Sequence, residues 1–140
     1  MKRPHKDESL RWLTQAQDEF QDADELRKRR RFYLALFHFQ QSTEKALKAY
    51  LYLTVKSVEV LYTHSVDDLL NMVIEIDPDF KGVAAAKKLD RYYIPTRYPN
   101  GLPGGVPSRY FDDPGEAEEA MRLAKDVVDL VGNKIKETTS

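Results

Sequence analysis

The sequence predicts an all-α protein: an up-and-down helical bundle of about five helices, with a long Pro/Gly-rich ordered loop before the last one. Three observations predict it. Apolar residues recur at steps of three and four through most of the chain. Start and stop residues punctuate those stretches. Four of the seven prolines fall in one segment, where the periodicity breaks.

The first helix is expected from about Asp7 to Arg30. Leu13, Ala16, Phe20, Ala23 and Leu26 form its apolar stripe. It ends in Arg27-Lys28-Arg29-Arg30-Arg31, cations that suit the negative end of a helix dipole. The second helix runs from Phe32 to about Lys56. Its apolar residues cover much of its circumference, so it is read as the central helix. The short connection makes these two helices antiparallel neighbours. Thr63-His64-Ser65 follows, and Ser65 with Asp68 reads as a capping box. The third helix then extends to about Ile76 and stops at Asp77-Pro78-Asp79. A fourth is expected from about Val83 to Tyr93. Residues Ile94 to Asp113 carry Pro95, Pro99, Pro103, Pro107 and three glycines. That composition reads as a loop of about 20 residues. Its tyrosines, phenylalanine and arginines predict an ordered loop pinned to the bundle. The last helix starts with Asp113 as N-cap, Pro114 at its first position and Glu116 completing a capping box.

At 140 residues, 41% hydrophobic and 32% charged, the chain suits one globular domain spanning residues 1–140. A net charge of −1 argues against coating nucleic acid through an overall positive field, but not against a local basic site. The absence of cysteine excludes disulfides, thiolate metal sites and cysteine nucleophiles. Met1 to Glu8 is charged and no apolar stretch follows, so a cytoplasmic protein without a membrane span is expected.

Three blocks carry a family resemblance. The string Ala35-Leu36-Phe37-His38-Phe39-Gln40-Gln41-Ser42-Thr43-Glu44-Lys45-Ala46-Leu47-Lys48-Ala49 resembles the motif helix of HEPN-domain proteins. Thr63-His64-Ser65 with Leu69-Leu70 is similar to the family's second block, and Leu89-Asp90 with Tyr92-Tyr93-Ile94-Pro95-Thr96-Arg97-Tyr98-Pro99 to its third. The resemblance implies a helical bundle that commonly dimerises and a role linked to a nucleotide or RNA. It also implies a separately encoded minimal nucleotidyltransferase as partner, in a toxin–antitoxin-like pair. Some branches of the family are metal-independent ribonucleases using an Arg, four to six residues, then a His in a late segment. Here Arg31 and His38 have that spacing, but at the start of the second helix; no His follows Arg97 or Arg109.

The candidate site residues follow from chemistry. Arg97, with Arg91 nearby, offers planar forks for phosphate, and Tyr93 and Tyr98 offer faces for a base. Arg97 is the first choice for a phosphate contact. The plainer reading is that tyrosines anchor the loop and arginines bond carbonyls at helix ends. Gln41, Lys45 and Lys48 share one face of the second helix, and Glu44 pairs with Lys48 at i,i+4. Such a run is ordinarily a solvated face, or, if buried beside the loop, part of a polar pocket. His64 offers a proton-transfer group or a turn hydrogen bond; His38 reads as a satisfied core or interface histidine. The basic run Arg27 to Arg31 suits RNA phosphates or simply a solvated helix end. No cofactor motif, metal-ligand spacing or catalytic constellation is present. Three functions are therefore expected in order: a nucleotide/RNA-binding module, a ribonuclease, and a non-catalytic dimeric interaction protein.

Overall fold

The computed structural model describes residues 5–55 and 62–139. Those residues form helices joined by turns, with no strand among them. Helix α1 spans His5–Lys28, α2 Phe32–Thr54 and α3 Val66–Ile76. A 3-10 segment, Pro78–Tyr92, comes next. A single turn Pro99–Gly101 and the short α4, Pro107–Tyr110, interrupt the loop before α5, Pro114–Thr139. The expected end of the second helix at Lys56 lies outside the described residues.

Helix α2 is the centre, as its wide apolar coverage predicts. Fourteen of its residues are buried, and α1, α3, α5 and the 3-10 segment all pack on it. Two serines tie it to α1: Ser9 Oγ donates to the Ala49 carbonyl at 2.6 Å and Ser42 Oγ to the Ala16 carbonyl at 2.8 Å. Phe20 meets Phe39 at 5.5 Å between them. Rising numbers on α1 meet falling numbers on α2, so the pair is antiparallel. The small residues Ala16, Ala23, Ala35, Ala46 and Ala49, all buried, let the backbones approach.

Three local expectations need correction. The fourth helix begins at Pro78, not Val83. Asp77 Oδ1 accepts from Asp79 N–H, so the residues that stop α3 also start the next segment. Val83, with φ −113° and ψ 16°, is a kink inside it. The proline loop is not free of helix, because Pro99 and Pro107 each stand at a first position, where a missing N–H costs nothing. Glu116 does not complete a capping box on α5. Asp113 Oδ1 caps Gly115 N–H at 2.9 Å, while Glu116 accepts from Tyr92 Oη at 2.8 Å. Burial and that acceptor both push the Tyr92 hydroxyl above its ordinary pKa. Ser65 is the N-cap of α3, accepting from Asp68 N–H.

The loop is pinned as expected. Thr96, Pro107 and Phe111 are buried. Phe111 meets Tyr92 edge-on at 6.0 Å, and Thr96 Oγ1 donates to the Tyr92 carbonyl. Gly104 has φ 75°, a conformation that favours glycine.

Asp90 is the fastener of this architecture. Its carboxylate accepts from Val66 N–H (2.8 Å), Asp67 N–H (2.9 Å), Ser65 Oγ (3.0 Å) and Gln40 Nε2 (3.2 Å). One side chain therefore satisfies the start of α3 and ties it to α2. Asp90→Ala is expected to destabilise by about 2–3 kcal/mol in urea unfolding, and Asp90→Asn by less, since one acceptor survives. A second check is pH. Burial raises the Glu19 carboxyl, but hydrogen bonds from His38 and Lys45 outweigh it and hold it below its ordinary value. A depressed carboxylate contributes stability above its unfolded pKa and loses it as pH falls through the folded value. The stability deficit of Glu19→Gln is therefore expected to be largest near neutrality and to shrink on acidification below pH 4.5.

Candidate functional site

The polar face of α2 is not solvated. Glu44 and Lys48 are 3% and 2% exposed, and Gln40 is wholly buried. An i,i+4 pair this deep persists only with its remaining valences satisfied. They are. Lys48 Nζ meets Glu44 Oε2 at 2.9 Å and lies 5.9 Å from the Trp12 ring. Gln41 Nε2 reaches Gln40 Oε1 at 2.8 Å and Glu44 Oε1 at 3.3 Å. Gln40 Nε2 donates to the His64 carbonyl at 3.0 Å. Glu44 Oε2 in turn faces His64 Nδ1 at 3.3 Å. Lys45 continues the network outward, reaching Gln41 Oε1 at 3.4 Å and Glu19 at 2.7 Å. A connected row of polar groups thus runs from α1, across α2, to the turn before α3.

Above its inner end lies an aromatic cluster. His64 stacks on Tyr93 with centroids 5.6 Å apart and planes at 15°. Phe37 lies 6.3 Å from Tyr93. The Arg97 guanidinium sits 4.4 Å from the Tyr93 ring, 5.0 Å from Phe37 and 5.1 Å from Tyr98. Such contacts orient a guanidinium without consuming its N–H groups. Arg97 Nε donates to the Tyr93 carbonyl at 2.7 Å. The plainer reading of the loop arginines is thus realised in part. The two terminal nitrogens of Arg97 take no partner among the described residues. A shallow cleft of 380 Å³ opens beside the cluster, lined by Thr63, His64, Ser65, Asp90, Tyr93 and Ile94.

The structure brings Arg97, Tyr93, Tyr98 and His64 together, with Glu44 and Gln41 beneath them. It separates the others. Arg91 lines a different cleft with Lys88, Tyr92 and Glu116, its Nε bonded to the Lys88 carbonyl at 3.1 Å. Lys45 is turned to Glu19, and Lys48 is too deep to touch a ligand. Two kinds of participant escape a reading of residue types. Phe37 looks like one apolar residue among many, and only the fold sets it under Arg97. Asp90 and Gln40 look like surface polar residues, although both stand inside the resemblance blocks. His38, half-buried, meets Glu19 through Nδ1 at 2.7 Å. His64 makes its hydrogen bond to Glu44, not within its own turn. Among the described residues no group of three or more His, Asp or Glu is placed to hold a metal ion, and no helix is long and apolar enough to cross a membrane.

Comparison with known proteins agrees with this fold. The profile of the HEPN domain matches residues 9–135. The crystal structure of TT1696 from Thermus thermophilus superposes with a TM-score of 0.75 at 34% identity, covering 90% of this chain and 97% of that one. The crystal structure of ST0689, an archaeal HEPN homologue, superposes with a TM-score of 0.73 at 27% identity, covering 96% and 99%. A search of curated proteins returns no match. The bundle, the blocks on α2 and the proline loop, and the profile match over most of its length make this chain a member of the HEPN domain family.

Proposed function

We propose that the chain binds a nucleotide or an RNA end at the Arg97 cluster, and that it works as a homodimer in the cytoplasm beside a separately encoded minimal nucleotidyltransferase, as in toxin–antitoxin pairs. One observation carries the binding reading: a guanidinium held by three aromatic rings, one of which, Tyr93, lines a cleft, with its terminal N–H groups unpaired among the described residues. Phosphate takes the fork of Arg97 bidentately. The half-exposed face of Tyr98 and the His64–Tyr93 stack suit a base. Lys45, Lys48 and Gln41 act through Glu19 and Glu44, setting the position of His64 instead of touching the ligand. The partner and the dimer rest on family membership alone.

The test is a thermal-shift screen with ATP, GTP, CTP, UTP and short RNAs. A ligand at one hundred times its dissociation constant stabilises by about 2.7 kcal/mol. The expected result is a shift in the wild type that Arg97→Ala abolishes and Arg97→Lys only partly restores, since lysine keeps charge without the fork. A well-folded wild type that responds to no ligand overturns the reading.

A ribonuclease reading has one observation of its own. His64 is more than half exposed, its Nδ1 is held against buried Glu44, and Nε2 takes no partner among the described residues. A carboxylate-oriented histidine is the form a general base takes. It would remove a proton from a ribose hydroxyl while Arg97 carries the charge developing on phosphate. Metal-free cleavage of RNA that His64→Ala abolishes in a folded protein is the outcome expected of this reading. RNA left intact by the wild type overturns it.

A further inference from the structure

The turn between α1 and α2 conflicts with local preference at two successive residues. Arg31 N–H bonds the Leu26 carbonyl at 2.9 Å and Arg30 N–H the Arg27 carbonyl at 3.0 Å. This is the Schellman ending of a helix, whose left-handed position glycine usually fills. Here that position holds Arg30, with φ 62°, and no other non-glycine residue described has positive φ. Arg31 then occupies the N-cap of α2, with no side-chain cap and no acidic residue in the first turn. A cation there opposes the helix dipole. Local conflicts in an otherwise consistent sequence are a pattern found at functional or strained sites.

The charge pattern is the second, independent observation. Residues 28–31 are all exposed. Arg27 is taken by Asp24 at 2.7 Å, and Lys28 lies within 3.5 Å of Asp24 and 3.7 Å of Glu25. Arg29, Arg30 and Arg31 have no carboxylate at ion-pair distance among the described residues, although Asp22 and Glu25 line the groove beside Arg29. Arg30 rests 5.2 Å from the Phe32 ring. Three guanidinium groups thus project from a rigid turn.

The same end of α2 carries the Arg97 cluster. Phe37 lies six residues beyond Arg31, about 9 Å along the helix. Tyr33 and Phe37, one helical turn apart and both half-buried, stand on the first turns of α2, Phe37 beneath Arg97. Guanidinium forks near aromatic side chains are the composition that single-stranded nucleic acid requires. A membrane fits less well, because no exposed apolar anchor flanks the turn and three basic residues attract a bilayer weakly.

We propose that Arg29, Arg30 and Arg31 grip the phosphodiester backbone of single-stranded RNA that lies along the first turns of α2, so that the chain prefers a polynucleotide to a mononucleotide. The choice of RNA rests on the nucleotide reading of the Arg97 cluster; the backbone contact itself does not.

The experiment is fluorescence anisotropy with a labelled 12-nucleotide single-stranded RNA, between 50 and 200 mM salt. It compares the wild type with Arg30→Gly and with Arg29→Gln/Arg30→Gly/Arg31→Gln. Each phosphate contact on a single strand contributes about 0.7 to the salt slope. The triple variant is expected to lose about two units of slope, so that the wild type weakens about 20-fold more than the variant across this range. Arg30→Gly suits the left-handed position, so it is expected to keep or raise the melting temperature while weakening RNA binding. The thermal shift given by ATP is expected to stay the same in every variant. Equal RNA affinity and slope in wild type and triple variant overturn the proposal. So does a wild type that binds no RNA at 50 mM salt, and the ATP response then reports separately whether the Arg97 site stands. Competition by polyglutamate as strong as that by RNA overturns it in favour of an acidic protein partner.

Discussion

The structure depends on a buried polar row along α2. A core helix that carries glutamine, glutamate and lysine inward bears a large desolvation cost, which survives only where every group has a partner. Gln40 uses its amide on the His64 carbonyl and Asp90, and its oxygen on Gln41. Glu44 takes Lys48, Gln41 and His64. Asp90 closes the row by holding the first N–H groups of α3. A shift of α2 by one residue would break together the bonds that leave the helix, from Gln40 to the His64 carbonyl and Asp90 and from Glu44 to His64. The row therefore sets the register of α2 against both α3 and the 3-10 segment. Apolar packing, which tolerates substitutions of similar volume, specifies register less sharply.

That rigidity is what makes a site of the residues above it. Tyr93 follows directly on the 3-10 segment that Asp90 anchors, and His64 immediately precedes the cap of α3. Their rings meet because Gln40 holds both the His64 carbonyl and the Asp90 carboxylate, and Tyr93 N–H bonds the Asp90 carbonyl. Arg97 is then placed by its own bond to the Tyr93 carbonyl and by Phe37 on α2. The floor is buried and the rim is exposed, with Tyr98 and His64 more than half accessible. A preorganised floor lowers the ordering cost of binding, while the exposed rim leaves the guanidinium ends and ring faces accessible to a ligand.

The helices were legible because their signals are local. Leu13, Ala16, Phe20 and Ala23 declare a face by spacing alone, and Ser65 and Asp113 declare caps by type and place. What was not legible depends on partners distant in sequence. Glu116 has the right spacing for a capping box, but the buried hydroxyl of Tyr92 competes for it. The Asp77-Pro78 stop also starts a helix, which a rule about endings does not reveal. Lys48 and Glu44 look like any exposed i,i+4 pair; that Trp12 of α1 meets the one and His64, before α3, the other is a tertiary property. Within the site, Arg97, Tyr93 and His64 were named from their chemistry. Phe37 and Asp90 were not, because an apolar residue and an acid become specific only through what they touch.

Net charge is a weak guide to phosphate binding in this chain, and the reason is visible in the pairing. Much of the positive charge is spent on carboxylates: Lys45 on Glu19, Lys48 on Glu44, Lys87 on Asp67, Arg122 on Glu118, Lys125 on Asp129, and Lys134 on Asp77 and Asp79. These pairs cancel in the far field and contribute little potential to a ligand. Among the described residues, Arg97 and Arg29 to Arg31 are without such partners and lie towards the start of α2, while Lys81, Arg91 and Arg109, also without them, lie apart from that group. A chain with a total of −1 can therefore present a local positive field. Where charges remain uncompensated, not how many there are, decides where an anion settles.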